Sequence, residues 1–278
     1  MDAVQRAEEL RQQGNRAFGE ARLHDAMEAY TAAVALQPSS STLYSNRARC
    51  LFQLGDFEAA LQDAQRAVEE DLTNIKAHFL LGTSLCEMAK KSKNVQQVDT
   101  ALVRLRKAIG LCSSQNVRQL ENALNIRVLR AQKLKWYLEK ERYESELAEA
   151  EQSFRGRVAA DTTLSEEQRQ QLLTDWSSLL NNRYEVKGVI PSYLCCPLSG
   201  QLFSDPVLLS SGNSFERATA AVRLQGSCCD PLTGDALATR AVAPNLNLRQ
   251  AVAHFLAENP WAFERAEGDS AASISFAD

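Results

Sequence analysis

Two adjacent cysteine pairs, Cys195-Cys196 and Cys228-Cys229, followed by His254, are where a metal hypothesis for this chain begins. Structural zinc sites space their thiolates two to four residues apart, so that both sulfurs turn toward one tetrahedral ion. Neighbours in an extended chain point to opposite faces, so neither pair makes a good chelate. The spacing predicts no metal or other cofactor, and small, half-buried apolar roles for these thiols. His24, His78 and His254 have no nucleophile at a useful spacing, which argues against hydrolase or protease chemistry.

The elements that hold binding residues are legible first in a repeat. Gly14, Ala48 and Gly82 stand 34 residues apart, the period of tetratricopeptide helical hairpins. Small residues are needed where the two helices of a hairpin approach closely. Ala26, Ala60 and Ala101 hold the matching position on each second helix, the third delayed by seven residues. Tyr30, Ala64 and Leu105 follow, then Ala33, Ala67 and Ala108. Pro38 stops the first repeat. The seven-residue excess falls in the polar stretch Lys90–Gln97, which is expected to be a longer turn. Three such hairpins can bury together the apolar faces that one cannot.

From Asn122 to about Ala159 the chain is rich in helix formers, with an apolar stripe through Leu124, Val128, Leu129, Leu134, Leu138 and Leu147. Asp161-Thr162-Thr163 breaks it. A second helix, about Ser165 to Tyr184, presents Leu172, Leu173, Trp176, Leu179 and Leu180. The two predict an antiparallel hairpin. The final stretch, Glu267 to Asp278, is small and polar and reads as a mobile tail.

The segment from Val189 to Phe255 carries a more specific pattern. It runs Ile190-Pro191-Ser192-Tyr193-Leu194-Cys195-Cys196-Pro197-Leu198-Ser199, then Asp205-Pro206-Val207, Ser211-Gly212-Asn213-Ser214-Phe215-Glu216-Arg217, Asp230-Pro231-Leu232-Thr233-Gly234 and Pro244-Asn245-Leu246-Asn247-Leu248-Arg249. This order resembles the U-box of ubiquitin ligases, a zinc-free RING-like domain. With the repeats in front, the chain resembles the CHIP-like family of chaperone-associated U-box ubiquitin ligases. The implied architecture is mainly α with a small α+β domain. It comprises a three-repeat tetratricopeptide array (1–118), a helical hairpin that links and dimerises (119–187), the U-box (188–262) and the tail (263–278). The resemblance implies that hydrogen bonds and ion pairs replace zinc, with Asp205, Ser210, Ser211, Glu216, Arg217, Asp230 and Asn245 as members in no assigned pairing.

The same resemblance gives the sites. Arg11, Asn15, Asn46 and Lys76 match the carboxylate clamp of chaperone-binding repeats, whose ligand is the C-terminal Glu-Glu-Val-Asp tail of heat-shock chaperones. Arg11 and Asn15 are one helical turn apart and share a face. Fixed cations and amides are what a terminal aspartate with two carboxylates requires, and Phe79 or Leu80 is expected to receive the valine. Two departures are visible. Leu80 stands where some family members carry a second basic residue, and Ala123 near an acidic position.

For the U-box, Leu198, Arg223 and Pro231 are implied to dock a ubiquitin-charged conjugating enzyme. No nucleophile is then needed, because catalysis is by positioning. Gly234 replaces a family arginine that bonds both ubiquitin and the conjugating enzyme, with Arg240 a candidate substitute. The implied enzyme is a RING-type ubiquitin transferase that marks chaperone-bound clients. The alternative is a catalytically weak co-chaperone scaffold.

Composition agrees with a protein partner. The 278 residues are 45% apolar and 24% charged with a net charge of −4, which argues against nucleic acid. No apolar run approaches a membrane span. Seven cysteines behind an N-terminus without an apolar signal predict reduced thiols and a cytoplasmic protein, with the nucleus as a second compartment.

Overall fold

The computed structural model describes residues 3–115, 117–179 and 188–265. They form two compact units that part between Lys135 and Trp136. The first unit holds three helical hairpins: α1 (Ala3–Gly19) with α2 (Leu23–Leu36), α3 (Ser41–Leu54) with α4 (Phe57–Glu70), and α5 (Ile75–Ser92) with α6 (Val95–Ser114). Each hairpin packs on the next through α2 on α3 and α4 on α5.

Alanine makes these approaches possible. Ala26, Ala60 and Ala101 are fully buried, as are Ala48, Ala64, Leu105, Ala33, Ala67 and Ala108, while Tyr30 is 3% exposed. A Cβ on Gly14 would lie 2.5 Å from the Tyr30 ring, and one on Gly82 would lie 2.7 Å from Leu105. The 34-residue period therefore records steric need. Asp56, Asn74 and Asn94 cap α4, α5 and α6, accepting from the backbone N–H groups of Ala59, Ala77 and Gln96.

The polar stretch after α5 is not a longer turn. Helix α5 runs on through Lys90, Lys91 and Ser92, and only left-handed Lys93 (φ 54°) and the cap Asn94 lie between it and α6. The seven extra residues lengthen both helices. Lys90 pairs with Glu87 at 2.8 Å, and cations suit the negative end of a helix dipole, so the polar run stays helical.

A 43-residue helix, α7 (Arg118–Ala160), follows, and then α8 (Glu166–Leu179). The turn between them is closed by Asp161, which accepts from the Thr163 amide and hydroxyl, and by a Ser165–Gln168 capping box. Phe154 stacks on Trp176 with ring centroids 4.4 Å apart, which pins the hairpin. The expected continuation to Tyr184 and the tail after Glu267 lie outside the described residues.

The C-terminal fold is small. Strands β1 (Pro206–Leu208), β2 (Ser214–Glu216) and β3 (Ala243–Pro244) form an antiparallel sheet in the order β2-β1-β3, with Val207 opposite Phe215 and Leu208 opposite Ala243. Helix α9 (Arg217–Leu224) follows β2 directly, and α10 (Leu246–Glu258) is capped by Asn245. Leu194, Phe203, Val207, Phe215, Ala220, Val252 and Leu256 form the core. Bridges Cys195–Leu202 and Cys229–Ala236 narrow the two long loops, residues 195–205 and 225–242.

Candidate functional site

The expected clamp residues lie side by side across the first helices of the three repeats, within hydrogen-bonding distance of one another. Lys76 Nζ on α5 donates to Asn46 Oδ1 at 2.8 Å, and Asn46 Nδ2 on α3 lies 3.3 Å from the Asn15 amide on α1. With its oxygen toward Asn46 Nδ2, the same Asn15 oxygen accepts from the Tyr30 hydroxyl at 2.7 Å. Turned over, the amide instead donates to Tyr30 and accepts from Arg11 Nη1 at 3.2 Å, with its nitrogen then facing the Asn46 nitrogen. Arg11 also grips Glu8 with two bonds of 2.8 Å. That contact, aided by Gln12, holds the Glu8 carboxyl down at about 2.

Asn46 is buried and the other three are half-buried, so the row is a fixed floor with few mobile parts. Phe79 and Leu80 are 6% and 2% exposed, and Arg127 of α7 lies over the Phe79 ring at 5.9 Å. Phe79 and Leu80 are both largely covered by their neighbours in the chain. Tyr30, Arg127 and Arg49, whose guanidinium lies 4.1 Å from the Phe18 ring centroid, were not singled out as site residues. The available signal was helical spacing: Phe18 and Arg49 each stand three residues after a clamp asparagine.

In the second unit, two polar clusters hold the loops. Asp205 bonds Arg217 at 2.6 Å and Arg249 at 3.0 Å, while Glu216 accepts from the Ser204 amide and hydroxyl and from the Asp205 amide. Burial pulls the Arg249 guanidinium below its ordinary value against the opposing charge of Asp205. In the other cluster, Asp230 accepts from the Ser211 hydroxyl, Asn213 Nδ2 (3.0 Å) and the backbone N–H of Leu232 and Thr233. Burial opposes its ionisation, but these donors win and hold the carboxyl at about 2.

Asn245 joins the end of the sheet to β2 through Ser214 at 2.9 Å, and Ser210 meets the Thr239 backbone. Every expected member is engaged. Ser204, Asn213 and Arg249 complete the set without having been singled out. Among the described residues, no group of three or more His, Cys, Asp or Glu could hold a metal, and all seven cysteines carry free thiols. Cys196 is buried, with its sulfur accepting from the Glu216 amide at 3.4 Å. Leu198 lies half-buried on the first loop, Arg223 is exposed in the last turn of α9, and Pro231 is half-buried on the second loop.

Comparison with known proteins fits this geometry. Residues 190–261 match the U-box domain model and residues 41–74 match the tetratricopeptide repeat model. The E3 ubiquitin-protein ligase CHIP of Arabidopsis thaliana is 28% identical over 272 residues, covering 93% of this chain and 96% of that protein. The chain carries the tetratricopeptide repeat and U-box of a CHIP-like ligase. DnaJ homolog subfamily C member 7 of Mus musculus is 36% identical over 81 residues, 29% of this chain and 16% of that protein. The solved TPR2B-domain:pHsp70 complex of yeast Sti1 is 26% identical, covering 46% of this chain and 96% of that one at a TM-score of 0.41.

As a CHIP-like ligase the chain is a RING-type ubiquitin transferase. In this CHIP-like U-box, Gly234 is exposed and left-handed (φ 79°), with its amide donating to the Asp230 carbonyl at 2.9 Å. A side chain there would meet open space, but only at the cost of a left-handed backbone, about 1–2 kcal/mol. Arg240 is held within its own loop, donating to Cys228 Sγ at 2.6 and 3.2 Å. Val222 beside Arg223 and Leu232 beside Pro231 are 69% and 54% exposed. They add apolar surface to the segments expected to dock the conjugating enzyme.

Proposed function

We propose that this CHIP-like ligase binds the C-terminal Glu-Glu-Val-Asp tails of heat-shock chaperones and ubiquitinates the clients those chaperones hold. The observation that carries the reading is the contiguous row Arg11, Asn15, Asn46 and Lys76, which collects two cations and two amides across three helices. A terminal carboxylate entering there exchanges its water for charged hydrogen bonds worth about 1.5–3 kcal/mol each. It also competes with Glu8 for the Arg11 fork.

At the other end, Leu198, Arg223 and Pro231 dock a ubiquitin-charged conjugating enzyme. The U-box holds the thioester in a reactive pose, so the rate gain comes from orientation. The α7–α8 hairpin joins the two functions and dimerises the protein, which works in the cytoplasm and the nucleus. The family resemblance supports that role, and the Phe154–Trp176 stack supports the hairpin itself. Gly234 favours weaker activation than an arginine gives there, since it offers no side-chain donor.

Calorimetry with a Glu-Glu-Val-Asp peptide tests the clamp. Lys76→Ala is expected to weaken binding by about 1.5–3 kcal/mol, and amidation of the peptide's C-terminus to do the same. Unchanged affinity in both would remove it.

A further inference from the structure

We infer that Arg49, seated on the Phe18 ring, forms a second recognition tier in the repeat groove that reads an acidic side chain within the three residues upstream of the ligand's C-terminus. The inference rests on the clamp reading above and deepens it. Phe18 follows Asn15 by three residues on α1, and Arg49 follows Asn46 by three on α3, so each shares a face with its clamp asparagine. Arg49 and Phe18 meet across the same two helices as Asn15 and Asn46, one turn further along, with 4.1 Å from guanidinium carbon to ring centroid.

The contrast with a near neighbour is informative. Arg47 is closed off by a two-pronged bond to Asp63 at 2.6 and 2.8 Å, a contact between α3 and α4. Arg49 forms no ion pair among the described residues. Arg49 is half-buried, with its guanidinium carbon 4.1 Å from the centre of an aromatic ring. A guanidinium stacked on a ring in this way keeps its N–H edges for a carboxylate, which suits it to that ligand.

The third helix repeats the pattern. Phe79 follows Lys76 by three residues and lies beneath the Arg127 guanidinium, while Leu80 is buried and supplies no charge. The tier above the clamp thus carries two guanidiniums, each over a phenyl ring. Three residues of helix rise about 4.5 Å and an extended peptide advances about 3.3 Å per residue. A ligand anchored by its terminal carboxylate therefore brings its first or second upstream side chain to the level of Arg49, and the second is the nearer Glu of Glu-Glu-Val-Asp.

The test compares a Glu-Glu-Val-Asp peptide with the two analogues in which one Glu is Gln, on wild-type protein and on Arg49→Met and Arg49→Lys. The inference expects one Gln analogue to bind wild type about three- to tenfold more weakly. Arg49→Met is expected to lose that distinction while folding normally, and Arg49→Lys to restore part of it. Arg49→Met binding all three peptides as wild type does, or weakening all three by one common factor, overturns the tier and leaves the clamp standing. A peptide whose amidation has no effect on binding overturns both.

Discussion

Asp230 is 1% exposed and its carboxylate accepts from four donors on two segments of chain, so it does in the U-box what a metal ion does in a zinc domain. Removing it leaves the Ser211, Asn213, Leu232 and Thr233 donors unpaired. Asp230→Ala is expected to cost about 2–3 kcal/mol, read from urea unfolding followed at Trp261. The pH dependence has a definite sign. The folded carboxyl titrates at about 2, below its ordinary value of about 3.9 in the unfolded chain. Its contribution is therefore complete above about pH 4 and is lost as pH falls toward 2. Asp230→Asn is expected to flatten that part of the stability profile; an unchanged profile would show that the acid sensitivity lies elsewhere. Residue types were readable here and pairings were not. Asp205 meets Arg249 across 44 positions and Ser211 meets Asp230 across 19, distances at which no periodicity announces a partner.

At the scale of elements, the repeat helices were the most legible part of the chain, because a Cβ at Gly14 or Gly82 has nowhere to go. Gly14→Ala is expected to destabilise the first repeat by about 1–3 kcal/mol. Gly19→Ala, which meets nothing within 4 Å, is the control. Because Tyr30 also holds Asn15, the same substitution is expected to weaken tail binding, whereas the control leaves it unchanged. Melting followed by circular dichroism decides the first point, and equal stability of the two variants would contradict it. The stretch after α5 was misjudged for a physical reason. Lysines and glutamines are loop-like by polarity but good helix formers by propensity, and on an exposed helix end propensity prevails. The docking side chains sit on loops whose positions depend on the two bridges and the Asp230 cluster. Leu198 and Pro231 could therefore be named from motif order, while the neighbouring exposed Val222 and Leu232 could not.

For the whole molecule, the account requires recognition at one end and transfer at the other to act on the same client. Binding of a chaperone tail, or transfer of ubiquitin to the ligase itself, would each satisfy only half of it. The most direct measurement is a reconstituted reaction with activating enzyme, a panel of conjugating enzymes, ubiquitin, and a chaperone holding an unfolded client. The account predicts ubiquitin chains on the client. Leu198→Ala is expected to abolish all chains, while Lys76→Ala abolishes those on the client and spares those the ligase builds on itself. Client modification indifferent to Lys76→Ala would contradict the coupling. No chains from any conjugating enzyme, with tail binding intact, would contradict the transfer.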